Sequence, residues 1–120
     1  MTREESHEYI YNRDAGICQT CGKLVKYFNC HKAHKIHKGK QTENYVRNFL
    51  LCEFNIELSK KKIREIINYP LNMALTCPTS KCNDAQNLFF KNRERDLLLL
   101  KILKEFMPEL SLPRHQDNDN

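Results

Sequence analysis

Four cysteines, three histidines and three asparagines are the residues of this sequence equipped for metal and proton chemistry. Cys18 and Cys21 form a CxxC, and Cys77 and Cys82 bound the segment CPTSKC. The first pair has the spacing with which two thiolates grip one zinc ion, and Gly22 lets the backbone turn tightly behind it. The second pair, C-x4-C, is at the wide end of the usual range. Together the four thiolates satisfy a tetrahedral zinc and leave no position for water, so this metal is expected to be structural. His31, His34 and His37 stand in NCHKAHKIHKGK. A histidine titrating near neutrality can take a proton from water. Asn72, in YPLNMALTC, and Asn83 and Asn87, in CNDAQN, carry amide oxygens, hard donors suited to Mg²⁺.

A different grouping of the same residues competes. Twelve residues separate Cys21 from His34, and His37 follows, which outlines a C2H2 zinc finger. Its histidines would be only two residues apart, where a finger uses three to five. His31 occupies the place where a finger has an apolar core residue. That grouping also leaves Cys77 and Cys82 without a purpose. Removal of Cys77 separates the two: a finger keeps its zinc, a four-cysteine site loses it.

The elements that must hold these groups can be read from patterning. Tyr9, Ile10 and Tyr11 suit a short N-terminal helix docked on the core, and Asp14-Ala15-Gly16 reads as a turn. Thr42 can cap a helix from Glu43 to about Phe54, with Tyr45, Val46, Phe49 and Leu50 on one face. Ser59 can cap KKKIREII, which Pro70 ends from downstream, with Ile63, Ile66 and Ile67 facing the core. After Asn83 one long helix is expected to run to about Met107, where Pro108 stops it. LLLLKIL makes its apolar face nearly continuous, so it either buries in the domain or pairs with a second copy. The latter reading leans towards a homodimer through this helix. Residues 108–120 read as a flexible tail. Of the two remaining cysteines, Cys30 has no assigned role and Cys52 is expected to be a small buried apolar residue.

The order CxxC, AHKI, PLN-x3-TC, CND resembles the HNH endonuclease family over roughly residues 11–90. The resemblance implies a small α+β fold: a ββα-metal core, a helical insertion over 41–70, and a long helix over 84–107, all in one domain. It implies that His34 ends the first strand of a hairpin as general base and that Asn72 holds that strand end in place. Asn83 would begin the last helix and bind a catalytic divalent cation, Mg²⁺ or Mn²⁺, and Asn87 would be a further ligand on the same helix face. Activated water and a single ion suffice for phosphodiester hydrolysis. One position departs from the family. Many members carry Asp or His directly before the general base as another ligand, and here that residue is Ala33. His31 and His37 are candidates to replace it, but strand alternation is not taken to place either clearly on the side of Ala33.

Bulk properties fit a nucleic-acid partner. The net charge is +5, and no acidic residue occurs from Ala15 to Thr42, a stretch that holds Lys23, Lys26, Lys32, Lys35, Lys38 and Lys40. Such a field attracts phosphates. A mean hydropathy of −0.71 argues for a polar globular chain, and no segment is long and apolar enough to span a membrane. MTREESHEY lacks the apolar stretch of a signal peptide, and six cysteines without one favour metal over disulfides, so a cytoplasmic location is expected. The sequence thus points to a metal-dependent DNA endonuclease, of a restriction, phage or mobile-element kind. The alternative is a zinc-stapled DNA-binding module without catalysis.

Overall fold

The computed structural model describes residues 2–109. The chain begins with α1 (Arg3–Arg13), started by a reciprocal cap. The Thr2 hydroxyl accepts from the Glu5 amide, and the Glu5 carboxylate accepts from the Thr2 amide. These bonds satisfy two donors that a helix start leaves open. Ile10 is fully buried, and the Tyr11 hydroxyl donates to the Val25 carbonyl at 2.7 Å. The expected turn follows, with positive φ at Ala15 and Gly16. At Gly16 a Cβ would stand 2.9 Å from the Tyr11 hydroxyl, so backbone conformation and space both call for glycine.

The turn is fastened to a distant stretch of the chain. Arg13 donates to the carbonyls of Pro70 and Met73, and the Asp14 carboxylate accepts from the Leu75 amide at 2.9 Å. These bonds fix α1 against the strand that carries the second half of the candidate site.

Two short strands pair antiparallel. β1 (His31–His34) and β2 (Met73–Thr76) match His31 with Thr76 and His34 with Met73. Between them in the chain come α2 (Lys40–Phe54) and α3 (Lys60–Ile67), and after β2 comes α4 (Ser80–Asp84). α5 (Asn92–Phe106) closes the described chain. A two-strand sheet with five α-helices and a 3-10 turn at Pro70–Asn72 among the described residues is an α+β fold.

α3 follows its sequence pattern. Ser59 caps it through a bond from the Lys62 amide, and Ile63, Ile66 and Ile67 are buried. α2 differs at its start. It begins at Lys40 after Gly39, and Thr42 lies inside it, fully buried, rather than capping it. Burial turns the Thr42 hydroxyl inward, away from the free amides of the first turn. Cys52 is exposed, not buried. The buried stripe of α2 is Thr42, Val46 and Leu50, and at about 100° per residue Cys52 lies on the opposite side from Leu50.

The long helix expected from Asn83 is two helices. α4 already starts at Ser80, capped by Thr79, whose hydroxyl accepts from the Cys82 amide. It stops at Asp84, and α5 starts eight residues later at Asn92. The break has two causes. The Asn87 side chain accepts from the Phe89 amide, a local turn that competes with helix. The Leu88 amide donates to the Lys35 carbonyl at 2.7 Å, tying this loop to the end of β1. Phe89 then enters the core.

The core has two parts. The larger joins Val46 and Leu50 of α2, the α3 isoleucines, Ile36, Phe89, and Leu99, Ile102 and Leu103 of α5. Burial inside the domain therefore accounts for much of LLLLKIL, leaving Leu97 half exposed. The smaller joins Ile10, Cys18, Val25, Met73, Leu75 and Cys82. No helix among the described residues is long and apolar enough to cross a membrane. The tail expected over 108–120 lies outside the described residues from residue 110 onward.

Candidate metal centre and histidine cleft

The knuckle folds by its own backbone bonds. The Cys18 amide donates to the Lys23 carbonyl, and the Gly22 amide returns to the Cys18 carbonyl, with Gly22 at φ +80°. This loop presents Cys18 and Cys21 on one side. β2 ends at Thr76, so Cys77 follows directly, and the first turn of α4 supplies Cys82. The Gln19 amide donates to the Leu75 carbonyl, and the Thr20 hydroxyl donates to the Cys82 carbonyl at 2.7 Å. These bonds bring the two pairs together.

The four sulfurs lie within 4.8 Å of one another. A tetrahedral ion with zinc–sulfur bonds of about 2.3 Å needs sulfurs about 3.8 Å apart. Four soft donors at this spacing suit a structural metal such as zinc. Cys18 already carries thiolate character. Burial raises its pKa, but the amides of Cys21, Cys77 and Thr20 pointing at its sulfur outweigh that and bring it down to about 6. The Cys77 thiol is pushed up to about 12, first by its bond with Cys21 and then by burial. One member of this cluster thus favours the thiolate form before any cation is considered.

The histidines disperse. The His34 ring Nε2 lies 2.9 Å from the Asn68 side-chain oxygen, at the C-terminal end of α3. Because that oxygen accepts, Nε2 carries the proton and Nδ1 keeps the lone pair. Burial lowers the His34 pKa, the Asn68 bond partly offsets this, and Lys38 and Lys32 lower it further. His37 lies elsewhere, its ring edge-on to Phe89 at 4.6 Å in the helical core. Neither ring joins the cysteines, which removes the C2H2 arrangement.

His31 accepts a 2.7 Å bond at Nδ1 from the Asn83 amide nitrogen. It stands two residues before Ala33 in the same strand, so it shares Ala33's face. The expectation that neither His31 nor His37 belongs clearly to that side is therefore corrected for His31. For His37 the strand ends too early for alternation to apply. Asn83 therefore meets β1 at His31. Asn87 does not share a helix face with Asn83, since α4 ends at Asp84 and the Asn87 side chain caps its own loop.

Asn72 is fully buried. Its oxygen accepts from the Ile36 amide, and its nitrogen donates to the carbonyls of Ile36 and Ile67. The Lys35 amide donates to the Asn72 carbonyl. Asn72 therefore clamps the chain just after His34 to the end of α3, with both amide hydrogens donated and the oxygen engaged.

His34, His31, Lys32, Lys38, Arg3 and Ser6 share a cleft of about 790 Å³ with Asn68 and Met73. Three permanent cations, Arg3, Lys32 and Lys38, and two histidines line it, and no carboxylate does. Asn68, Arg3 and Ser6 were not legible as site residues. Asn68 had only its place after a run of helix formers, and the N-terminal pair reaches the cleft through the docking of α1.

No family model matches the chain, no curated protein matches it, and no solved structure matches it.

Proposed function

We propose that the protein is a metal-dependent endonuclease of the ββα-metal kind, hydrolysing DNA phosphodiester bonds in the cleft at His34. The observation that carries this reading is the position of His34. It ends β1, its partner strand leads through Cys77 into α4, and its ring lines a cleft whose charged groups are all basic. Zinc at Cys18, Cys21, Cys77 and Cys82 would tie the knuckle to α4, with no part in the reaction.

In this reading Arg3, Lys32 and Lys38 draw the phosphate backbone into the cleft. His34, held neutral by its surroundings, takes the proton of the attacking water. Asn72 holds the strand end, and Asn68 orients the ring. For the catalytic cation the chain offers the Asn83 amide oxygen and, in place of the missing ligand at Ala33, His31, whose Nδ1 would first have to release the Asn83 amide nitrogen. When bound, Mg²⁺ or Mn²⁺ would neutralise charge developing on the phosphate.

Plasmid incubated with Mg²⁺ or Mn²⁺, with and without EDTA, tests the activity. His34→Ala should slow single-turnover cleavage by about 10²–10⁴-fold while zinc content and DNA affinity hold. The pH profile adds a signed expectation. A lowered histidine pKa keeps the base neutral to lower pH, so the acid limb should fall below the ordinary value of about 6.5. His34→Ala cleaving at the wild-type rate would remove His34 as the base. The second reading, a zinc-stapled DNA-binding module without catalysis, draws its support from Ala33. It stands if the wild-type protein binds DNA and cuts with neither ion.

A further inference from the structure

Phe28 is the most exposed large apolar side chain among the described residues, at 96%, and Leu24 on the same loop is 81% exposed. A single exposed phenylalanine is ordinary on a surface, but this one stands on an anchored turn. Lys26–Asn29 is a tight turn closed by the Asn29 amide on the Lys26 carbonyl at 3.0 Å, which puts Phe28 at its tip. Next to it Tyr27 is anchored: its carbonyl meets the His7 ring nitrogen at 2.8 Å, and its ring packs edge-on against His7 and Tyr11. The Phe28 ring stands edge-on to Tyr27 at 5.0 Å, directed outward from that base.

The surroundings favour a polyanion. Lys23 and Lys26 precede Phe28 in the chain, inside the stretch that has no acidic residue. The tip also adjoins the cleft. Arg3 and His7 are four residues apart on α1 and share a face; Arg3 lines the cleft with His34, while His7 holds Tyr27. A strand of nucleic acid lying over His34 and Arg3 is thus led past His7 towards an aromatic tip in a stretch free of carboxylates.

We propose that Phe28 is a base-stacking wedge. With the backbone held by the basic stretch, its ring inserts against a base and unstacks a step further along the duplex from the phosphate over His34. This rests on the DNA reading above and adds the part of the substrate that the lysines cannot reach. Phosphate contacts position a duplex, and an aromatic wedge adds a contact to the base stack itself.

The test uses the full chain and short duplexes carrying 2-aminopurine at successive positions, with Mg²⁺ and Mn²⁺ omitted to prevent cleavage and no chelator added, so that the four-cysteine zinc stays in place. Wild type should raise the fluorescence at one position as that base unstacks. Phe28→Ala should abolish the rise and weaken binding by about 5-fold or more, with the salt dependence of affinity unchanged. Phe28→Tyr should restore both. Lys23→Gln with Lys26→Gln should instead flatten the salt dependence and keep the fluorescence rise. Phe28→Ala with wild-type affinity and fluorescence, against DNA that the wild type binds and cuts, overturns the wedge and leaves the endonuclease reading intact. Wild type that ignores every duplex and binds anionic phospholipid vesicles through Phe28 overturns both, and assigns the tip to a lipid surface.

Discussion

Ten buried side chains fill the helical half of the molecule, all but Phe89 of them isoleucine, leucine or valine, drawn chiefly from α2, α3 and α5. The knuckle half has six, and two of those are the cysteines Cys18 and Cys82. The helical half can be held by burial alone. The knuckle half has a two-strand sheet, which is marginal by itself, and too few apolar groups to offset the ordering of its loops. Four converging sulfurs supply what the apolar side chains do not. The basic cleft lies along the seam, taking His31, Lys32 and His34 from β1 and Asn68 from the end of α3.

The comparison breaks most visibly at the metal. Cys82→Ser should remove on the order of 10 kcal/mol if the site holds zinc, because metal binding and folding of such a site are one event. Elemental analysis should show zinc lost, and hydrogen exchange should show amides of Cys18 to Leu24 and of β2 unprotected. A zinc-free Cys82→Ser protein with an intact knuckle would refute the division. Leu99→Ala should be the mirror experiment. It empties a site in the helical core and should cost about 2–5 kcal/mol in denaturant unfolding, with zinc content unchanged.

Asn72→Ala addresses the seam. It strands the Ile36 amide and the carbonyls of Ile36 and Ile67 in the interior, and should cost roughly 2 kcal/mol. If the clamp positions His34, cleavage should fall while zinc content holds; unaltered cleavage in a folded variant would reduce Asn72 to a fold residue. Cys52→Ser should do least. On the exposed side of α2 it should shift stability by no more than about 0.5 kcal/mol and leave zinc untouched. Loss of zinc on that change would mean the sulfurs exchange ligands.

What the sequence made legible is what neighbours in the chain decide. The CxxC knuckle, the Ser59 cap, the α3 isoleucines and the Asp14-Ala15-Gly16 turn each follow from a few adjacent residues. The misplaced features depend on distant partners. Nothing near Leu88 says that its amide is taken by Lys35, and that bond helps divide the expected long helix into α4 and α5. Thr42 has the type of a cap, but packing against the core claims it for the interior. Within the candidate site, the convergence of the cysteine pairs was readable from spacing. The Asn68 partner of His34 and the approach of Asn83 to His31 were not, because both contacts cross between elements.

The pairing of His31 with Thr76 also carries a consequence for the order in which the molecule forms. Closing two short strands across so long a stretch of chain costs loop entropy that so small a sheet cannot return early. α2 and α3 lie within that stretch and pack on each other, so their prior assembly shortens the search. Refolding from denaturant should then show helix forming first, with uptake of zinc by the four cysteines as a later step whose rate follows strand closure. On this view β1 and its histidines remain unpaired until late, and the cleft is among the last features to exist.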